Sequence, residues 1–305
     1  MTERVTNEML TSSTLRDLGG TLSAMERSSE ELSSGRSILQ PSDDPYGASR
    51  AIALQSALDG LSSYAGSVRD ATAWQETVSS SLSSIDEVVS RVRELTLEGA
   101  NGVNDRPDRE AIADEVEQLT EAIKQDANAQ YAGQYVFSGT STATAPYRAG
   151  ANDDYEGGTG TVARAIGPGA TVSISTDIAS LLGNGQGAAD GKLLDVLRTI
   201  AEDLRGGGEA EAQALGGADL QGLEANAATL TSLQADVGAG TDQLQMAASR
   251  IEGLQGTTTA ALSGVQDANV VAVSTDYANQ QAAYQAALKA DADILQMPSL
   301  IEFLG

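Results

Sequence analysis

The sequence predicts a mainly α-helical protein: a long antiparallel helical rod or coiled coil formed by the N- and C-terminal segments, with a small β-rich insert between them. Three observations carry this. From Leu230 one position recurs every seven residues as Val237, Leu244, Ile251, Thr258, Val265 and Ala272, and a second as Leu233, Gly240, Ala247, Leu254, Ala261 and Ala268. Heptads sustained over this length mark a long helix that packs along another. Near the other end Leu15, Leu18, Leu22, Met25 and Leu32 repeat the spacing of three and four, so each terminal segment carries an apolar stripe that the other could cover. Aromatic content is only 4%, whereas a compact core usually draws on Phe, Tyr and Trp for much of its buried area. Helix seams of Leu, Val, Ile and Ala need none of them.

Taken in order, the first helix covers roughly residues 5–34 and ends at Gly35, the residue type that relieves a left-handed turn after a helix. A link from Gln40 to Gly47 follows, in which Pro41 and Pro45 forbid a straight continuation and flank Asp43 and Asp44. Helix resumes near Ala48, with Leu54, Leu58, Leu61, Ala65 and Val68 and then Val78, Leu82, Ile85, Val89 and Val92 on one stripe, and stops in Gly99-Ala100-Asn101-Gly102. Asn104-Asp105-Arg106-Pro107-Asp108 offers a capping side chain, an early proline and an acidic first turn, followed by Ile112, Val116, Leu119 and Ile123. After Tyr135 to Gly139 the pattern changes: two alternating runs around Gly167-Pro168-Gly169 predict a hairpin. Helix returns with Leu193, Leu194, Leu197, Ile200 and Leu204, and breaks at Gly206-Gly207-Gly208 before the C-terminal heptads. At the far end Val273, Tyr277, Tyr284, Leu288 and Leu295 fall near one helical face. The expected division is residues 1–45 with 268–305 as paired terminal helices, 46–138 with 191–267 as a helical rod, and 139–190 as the outer insert.

The charge and the missing residue types exclude several functions. Net charge is −25, and only Lys124, Lys192 and Lys289 among the 18 basic residues are lysines, so nucleic acid is not expected as a partner. There is no Cys and no His, which removes disulfides, thiolate metal sites and the commonest general base together. No stretch of about 18 apolar residues could span a bilayer, and the first ten residues lack a signal-peptide core. Export without a cleaved signal is the corresponding expectation. Asn152, Asp154, Glu156 and Gly157 match early positions of a calcium loop, but Ala163 stands where a bidentate Glu is required, so the stretch reads as a turn. Gly183 to Gly187 lacks the Lys-Ser or Lys-Thr of a phosphate loop and reads as a connector. Asp43 and Asp44 suit turn and helix capping better than acid/base work, and Trp74, Tyr277 and Tyr284 suit packing. No catalytic residue, cofactor or metal is expected.

Glu30-Glu31-Leu32-Ser33-Ser34-Gly35 followed by Pro41-Ser42-Asp43-Asp44-Pro45, the Tyr135-Val136-Phe137-Ser138-Gly139-Thr140 segment, and an ending in Ser299-Leu300-Ile301-Glu302-Phe303-Leu304 resemble bacterial flagellin-like proteins. Within that family the Ser-Asp-Asp-Pro turn and the Phe-Ser-Gly-Thr lead into a small insert are similar to members that sit between hook and filament. The resemblance implies an axial architecture with the terminal helices innermost, and a structural adapter joining the hook, through the adjacent hook-associated protein, to the flagellin filament. A minor filament flagellin is the alternative. It also implies a layer of identical subunits, export through the flagellar type III apparatus to the cell exterior, and an export chaperone on the C-terminal helix. Leu15, Leu18, Leu22, Met25, Leu32, Pro41, Asp43, Asp44, Pro45, Val273, Tyr277, Tyr284, Leu288 and Leu295 are the candidate assembly residues.

Overall fold

The computed structural model describes residues 7–101, 105–150 and 152–295. Helix accounts for 72% of it, with few short strands. The chain forms two compact units, one of residues Met1–Gly60 with Leu254–Gly305 and one of Leu61–Gly253. The Ser299 to Leu304 motif and the side chain of Leu295 lie outside the described residues.

In the first unit α1 (Asn7–Ser34) packs against α8 (Val270–Leu295). α1 closes through Gly35, whose φ of +69° favours glycine and whose N–H donates to Glu31 O at 2.9 Å. The next residues pair antiparallel with the chain ahead of α8: Ser37 N donates to Gln266 O at 2.7 Å and Ala268 N to Gly35 O at 2.9 Å, with Arg36 opposite Asp267. This bridge corrects the expectation of one helix through Leu230 to Ala272. α7 (Leu220–Gln266) ends there, and Asn269 starts α8 by accepting from Ala272 N at 3.2 Å through Oδ1. Heptad spacing ran on across the break because it records which side chains are apolar, not which carbonyl each N–H chooses. Within α7 the inward stripe also shifts: Leu254 is 47% exposed while Leu262 is 7% exposed, so the repeat slips by one position after Ile251.

The second unit is built on one apolar core. Trp74, Val78, Leu82, Ile85 and Val92 of α2 (Pro45–Ala100), Ile123 of α3 (Arg106–Ala127), Leu197 and Ile200 of α5 (Leu193–Gly206), and Leu230 and Leu244 of α7 belong to it. α3 starts as the sequence predicts: Asp105 Oδ1 accepts from Asp108 N at 3.1 Å and Pro107 occupies the first turn. Gly99 does more than end α2, because a Cβ there would lie 2.2 Å from Leu204 Cδ2. α5 ends at Gly207, with φ +66°. α6 (Glu209–Ala214) and a π-helical turn, Leu215–Asp219, then lead into α7.

The stretch 139–190 holds less strand than expected. β1 (Gln130–Tyr131) and β2 (Gln134–Tyr135) precede it, and inside it only β3 (Ala163–Gly167) pairs with β4 (Ala170–Ser173), around Pro168 and Gly169. A four-residue helix, α4 (Ala179–Leu182), follows. Most of the segment is turns tied by side chains: Ser138 Oγ donates to Thr144 O at 2.5 Å and Tyr147 OH to Gly183 O at 2.9 Å. Phe137, Tyr147, Ile174, Ile178, Leu181 and Leu182 are buried in the same core as the helices. Few aromatics in the composition therefore did not mean an aromatic-free core. Trp74, Phe137 and Tyr147 are among its largest fully buried side chains.

Candidate assembly surface

The α1 and α8 pair is held by a narrow seam. On α1 the inward positions are Thr14, Leu18, Thr21, Met25, Ser28 and Leu32, and on α8 Val273, Tyr277, Gln280, Tyr284 and Ala287. Both sets alternate steps of four and three, the coiled-coil period. Half of the seam is small or polar, and Gln280 Oε1 is buried without a hydrogen-bond partner. None of the fully buried apolar side chains among the described residues comes from α1 or α8. Leu18, Met25, Leu32, Val273, Tyr277 and Tyr284 thus face the seam half-buried. Leu15, Leu22 and Leu288 do not, being 56%, 37% and 44% exposed. Leucine content marked the correct helix, but the inward stripe runs through threonine and serine, which an apolar count passes over.

What this unit leaves exposed is apolar. Nine of the eleven large apolar side chains that the described residues expose lie in it, including Met9, Leu15, Leu22, Ile52, Val270, Val271 and Leu288, whereas the larger second unit exposes two. Between the helices, Met25, Glu26, Ser29, Glu30 and Tyr277 line a shallow groove of about 320 Å³.

The link at Pro41 to Gly47 is organised by its two carboxylates. Asp43 Oδ2 accepts from Gln40 N at 2.9 Å and Leu39 N at 3.2 Å, and Arg27 Nη2 lies 3.6 Å from its other oxygen. The Gln40 N–H is the largest influence holding this carboxyl below the usual range. Asp44 caps α2, its Oδ1 accepting from Tyr46 N at 3.1 Å and Gly47 N at 2.9 Å, and Pro45 fills the first helical position, where no N–H is needed. Gly47 is required by closeness, since a Cβ would lie 2.3 Å from Asp44 Oδ2 and 2.7 Å from Ile38 Cδ1.

Two charged clusters in the second unit were not anticipated. Lys124 is 1% exposed, and its Nζ reaches Gly150 O at 2.5 Å, Asp153 Oδ1 at 2.9 Å, Asn152 O at 3.1 Å and Glu121 Oε1 at 3.3 Å. Arg198 Nε and Nη2 grip Asp153 at 2.9 and 3.1 Å, and Nη2 also meets Glu121 at 3.1 Å. Asn152 and Asp153, at the start of the stretch that resembled a calcium loop, therefore meet an ammonium group. Burial alone would raise the Asp153 carboxyl, but hydrogen bonds and charge from Arg198 and Lys124 outweigh it and hold it low. Lys124 continues the buried spacing of Val116, Thr120 and Ile123 on α3, a signal that was present in the sequence. The other cluster is Asp219, 7% exposed on the π-helical turn, beside Asp203 of α5. Burial first, then the Asp203 charge, pushes the Asp219 carboxyl up to about 6.

No described helix is long and apolar enough to cross a membrane. Residues 5–142 match the family model of the bacterial flagellin N-terminal helical region. Flagellar hook-associated protein 3 of Escherichia coli (strain K12) is 25% identical over 308 residues, covering 95% of this chain and 96% of that protein. A flagellin from Clostridium tyrobutyricum is 27% identical, but over only 41% of this chain and 33% of its own length. Among solved structures, a putative flagellar hook-associated protein from Vibrio parahaemolyticus shares the fold with a TM-score of 0.64 at 20% identity, covering 74% of this chain and all of that one. The chain is thus similar to bacterial flagellin in its N-terminal helical region and to flagellar hook-associated protein 3 along nearly its whole length.

Proposed function

We propose that this protein is a structural adapter of the bacterial flagellum, joining the hook, through the adjacent hook-associated protein, to the flagellin filament. The observation that carries the reading is the α1 and α8 pair: long helices with no fully buried apolar side chain among their described residues and a set of exposed leucines and valines beside the seam. Helices of this kind gain most of their stability from packing on other elements, and side-by-side copies of the chain would supply it. Full-length likeness to hook-associated protein 3, against part-length likeness to flagellin, favours the adapter over a minor filament flagellin. In this reading the protein leaves the cell through the flagellar type III apparatus, and an export chaperone holds α8 around Val273, Tyr277, Tyr284, Leu288 and Leu295 beforehand. Catalysis plays no part.

A deletion strain tests it. Hooks retained without filaments, motility lost and flagellin released to the medium are expected, with antibody labelling of the wild type confined to the far end of the hook. Labelling along the filament would assign the protein to the flagellins instead.

A further inference from the structure

We propose that a cleft in the 139–184 region of the second unit binds a short neutral saccharide, a role separate from assembly. The cleft encloses about 620 Å³, and every group in its lining that could meet a ligand is neutral or acidic. No Lys or Arg lines it, so a phosphate or carboxylate ligand would find no counter-charge. Hydroxyls dominate: the side chains of Thr159, Thr161 and Thr176 line the cleft and make no hydrogen bond within the protein. Thr176 is only 8% exposed as a residue, so its side chain is held in the cleft wall, and a hydroxyl open to the cleft can both donate to and accept from a ligand's hydroxyl. The exposed Asp177 carboxylate, also without a hydrogen bond or ion pair, adds a strong acceptor beside it.

The walls are already fixed. Tyr155, whose ring lines the cleft, donates its hydroxyl to Phe137 O at 2.9 Å, and its N–H donates to Asn184 Oδ1 at 3.2 Å. Asn184 keeps its amide N–H groups for a ligand. Gly139 turns through φ +53° so closely that a Cβ would lie 2.2 Å from Gly158 O. Tyr155 beside hydroxyl, amide and carboxylate groups with hydrogen-bonding capacity to spare matches a polyhydroxylated neutral ligand. The pre-set walls lower the ordering cost of binding.

The test uses the full chain labelled at threonine methyl groups and titrated separately with maltotriose, cellotriose and chitotriose, with 3′-sialyllactose as an anionic comparison. The expected result is a saturable shift of the Thr159, Thr161 and Thr176 methyl signals with at least one neutral trisaccharide. Thr176→Val and, independently, Asp177→Ala should each weaken that binding about three- to tenfold, the range for losing one hydrogen bond. Asp177 is exposed and its carboxylate makes no hydrogen bond or ion pair, while its backbone carbonyl, which accepts from Ser180 Oγ, is kept in the variant, so its variant reports on binding even if Thr176→Val perturbs the fold. No saturable shift with any of the three neutral probes would overturn the proposal. So would unchanged affinity in Asp177→Ala, or tighter binding of the anionic sugar.

Discussion

Asp219 and Asp203 place two carboxylates against each other at a point where the helix briefly widens to π geometry. Burial and the negative charges of Glu211 and Glu202 raise Asp203 as well, against the pull of its hydrogen bond with Asp219. Because Asp219 titrates at about 6 when folded and near 3.9 when unfolded, its contribution to stability is full below about pH 4 and lost as the pH rises through 6. Asp219→Asn keeps the shape and stays neutral. It should stabilise the protein by about 1–2 kcal/mol at pH 7.5 and leave stability at pH 4 nearly unchanged, read as thermal unfolding at the two values. Equal unfolding temperatures at pH 7.5 would contradict the account of Asp219 as a carboxyl raised by burial and the Asp203 charge. Asp153 acts in the opposite direction: held low by Arg198 and Lys124, it stabilises above the ordinary carboxylate range and that stability is lost as the pH falls through its lowered value. Lys124→Met leaves Asp153 and Glu121 to Arg198 alone and should cost about 3–5 kcal/mol, measured by denaturant unfolding. At this scale the sequence was only partly legible. It identified Asp105 and the Asp43–Asp44 turn because capping is local, but the ion cluster joins residues 121, 124, 153 and 198, which no local pattern connects.

Among the elements, the link between α1 and α2 concentrates the most constraint in the fewest residues. Asp44 caps α2 and Asp43 ties back to the residues before Pro41, so the two prolines hold a turn that the carboxylates already define. Replacing Pro41 and Pro45 with Ala should reduce assembly in cells more than it lowers the unfolding temperature of the second unit, whose core contains neither. Normal filament growth with the double variant would remove the link from the list of geometric determinants. Helix bounds were legible here because glycine, proline and capping residues punctuate them. The break at Gln266 to Asn269 was not, since it depends on hydrogen bonds to Gly35 and Ser37 more than two hundred residues earlier. The seam of α1 was legible only in part for a related reason: Leu18, Met25 and Leu32 face it, but Thr14, Thr21 and Ser28 share it, and Leu15 and Leu22 lie on the flank. That distinction makes α8 testable. Tyr284→Ser removes a seam side chain and should weaken the α1 contact, whereas Leu288→Ser, on the exposed flank, should leave that contact intact and impair incorporation. Limited proteolysis of the purified variants against their incorporation in cells separates the two.

For the whole molecule, the contrast between the units is the main physical fact. One buries Trp74, Phe137, Tyr147 and a continuous set of aliphatic side chains. The other leaves Met9, Leu15, Leu22, Val270, Val271 and Leu288 in contact with solvent. Burying a large apolar side chain fully is worth about 1.5–3 kcal/mol, so even partial cover by neighbouring copies would add substantially to a seam that is half polar. The mainly helical class followed from the heptads, because periodicity over tens of residues outweighs local ambiguity. How little strand lies in residues 139–190 was not readable, since its glycine and threonine runs fit turns as well as strands. The most direct measurement is complementation of the deletion strain with Leu15→Ser/Leu22→Ser, alongside thermal unfolding of the purified variant. The account predicts an unfolding temperature within error of the parent, bare hooks, and flagellin in the medium. Filaments of normal number and length from that variant would contradict the claim that the exposed face of the terminal helices is the assembly surface.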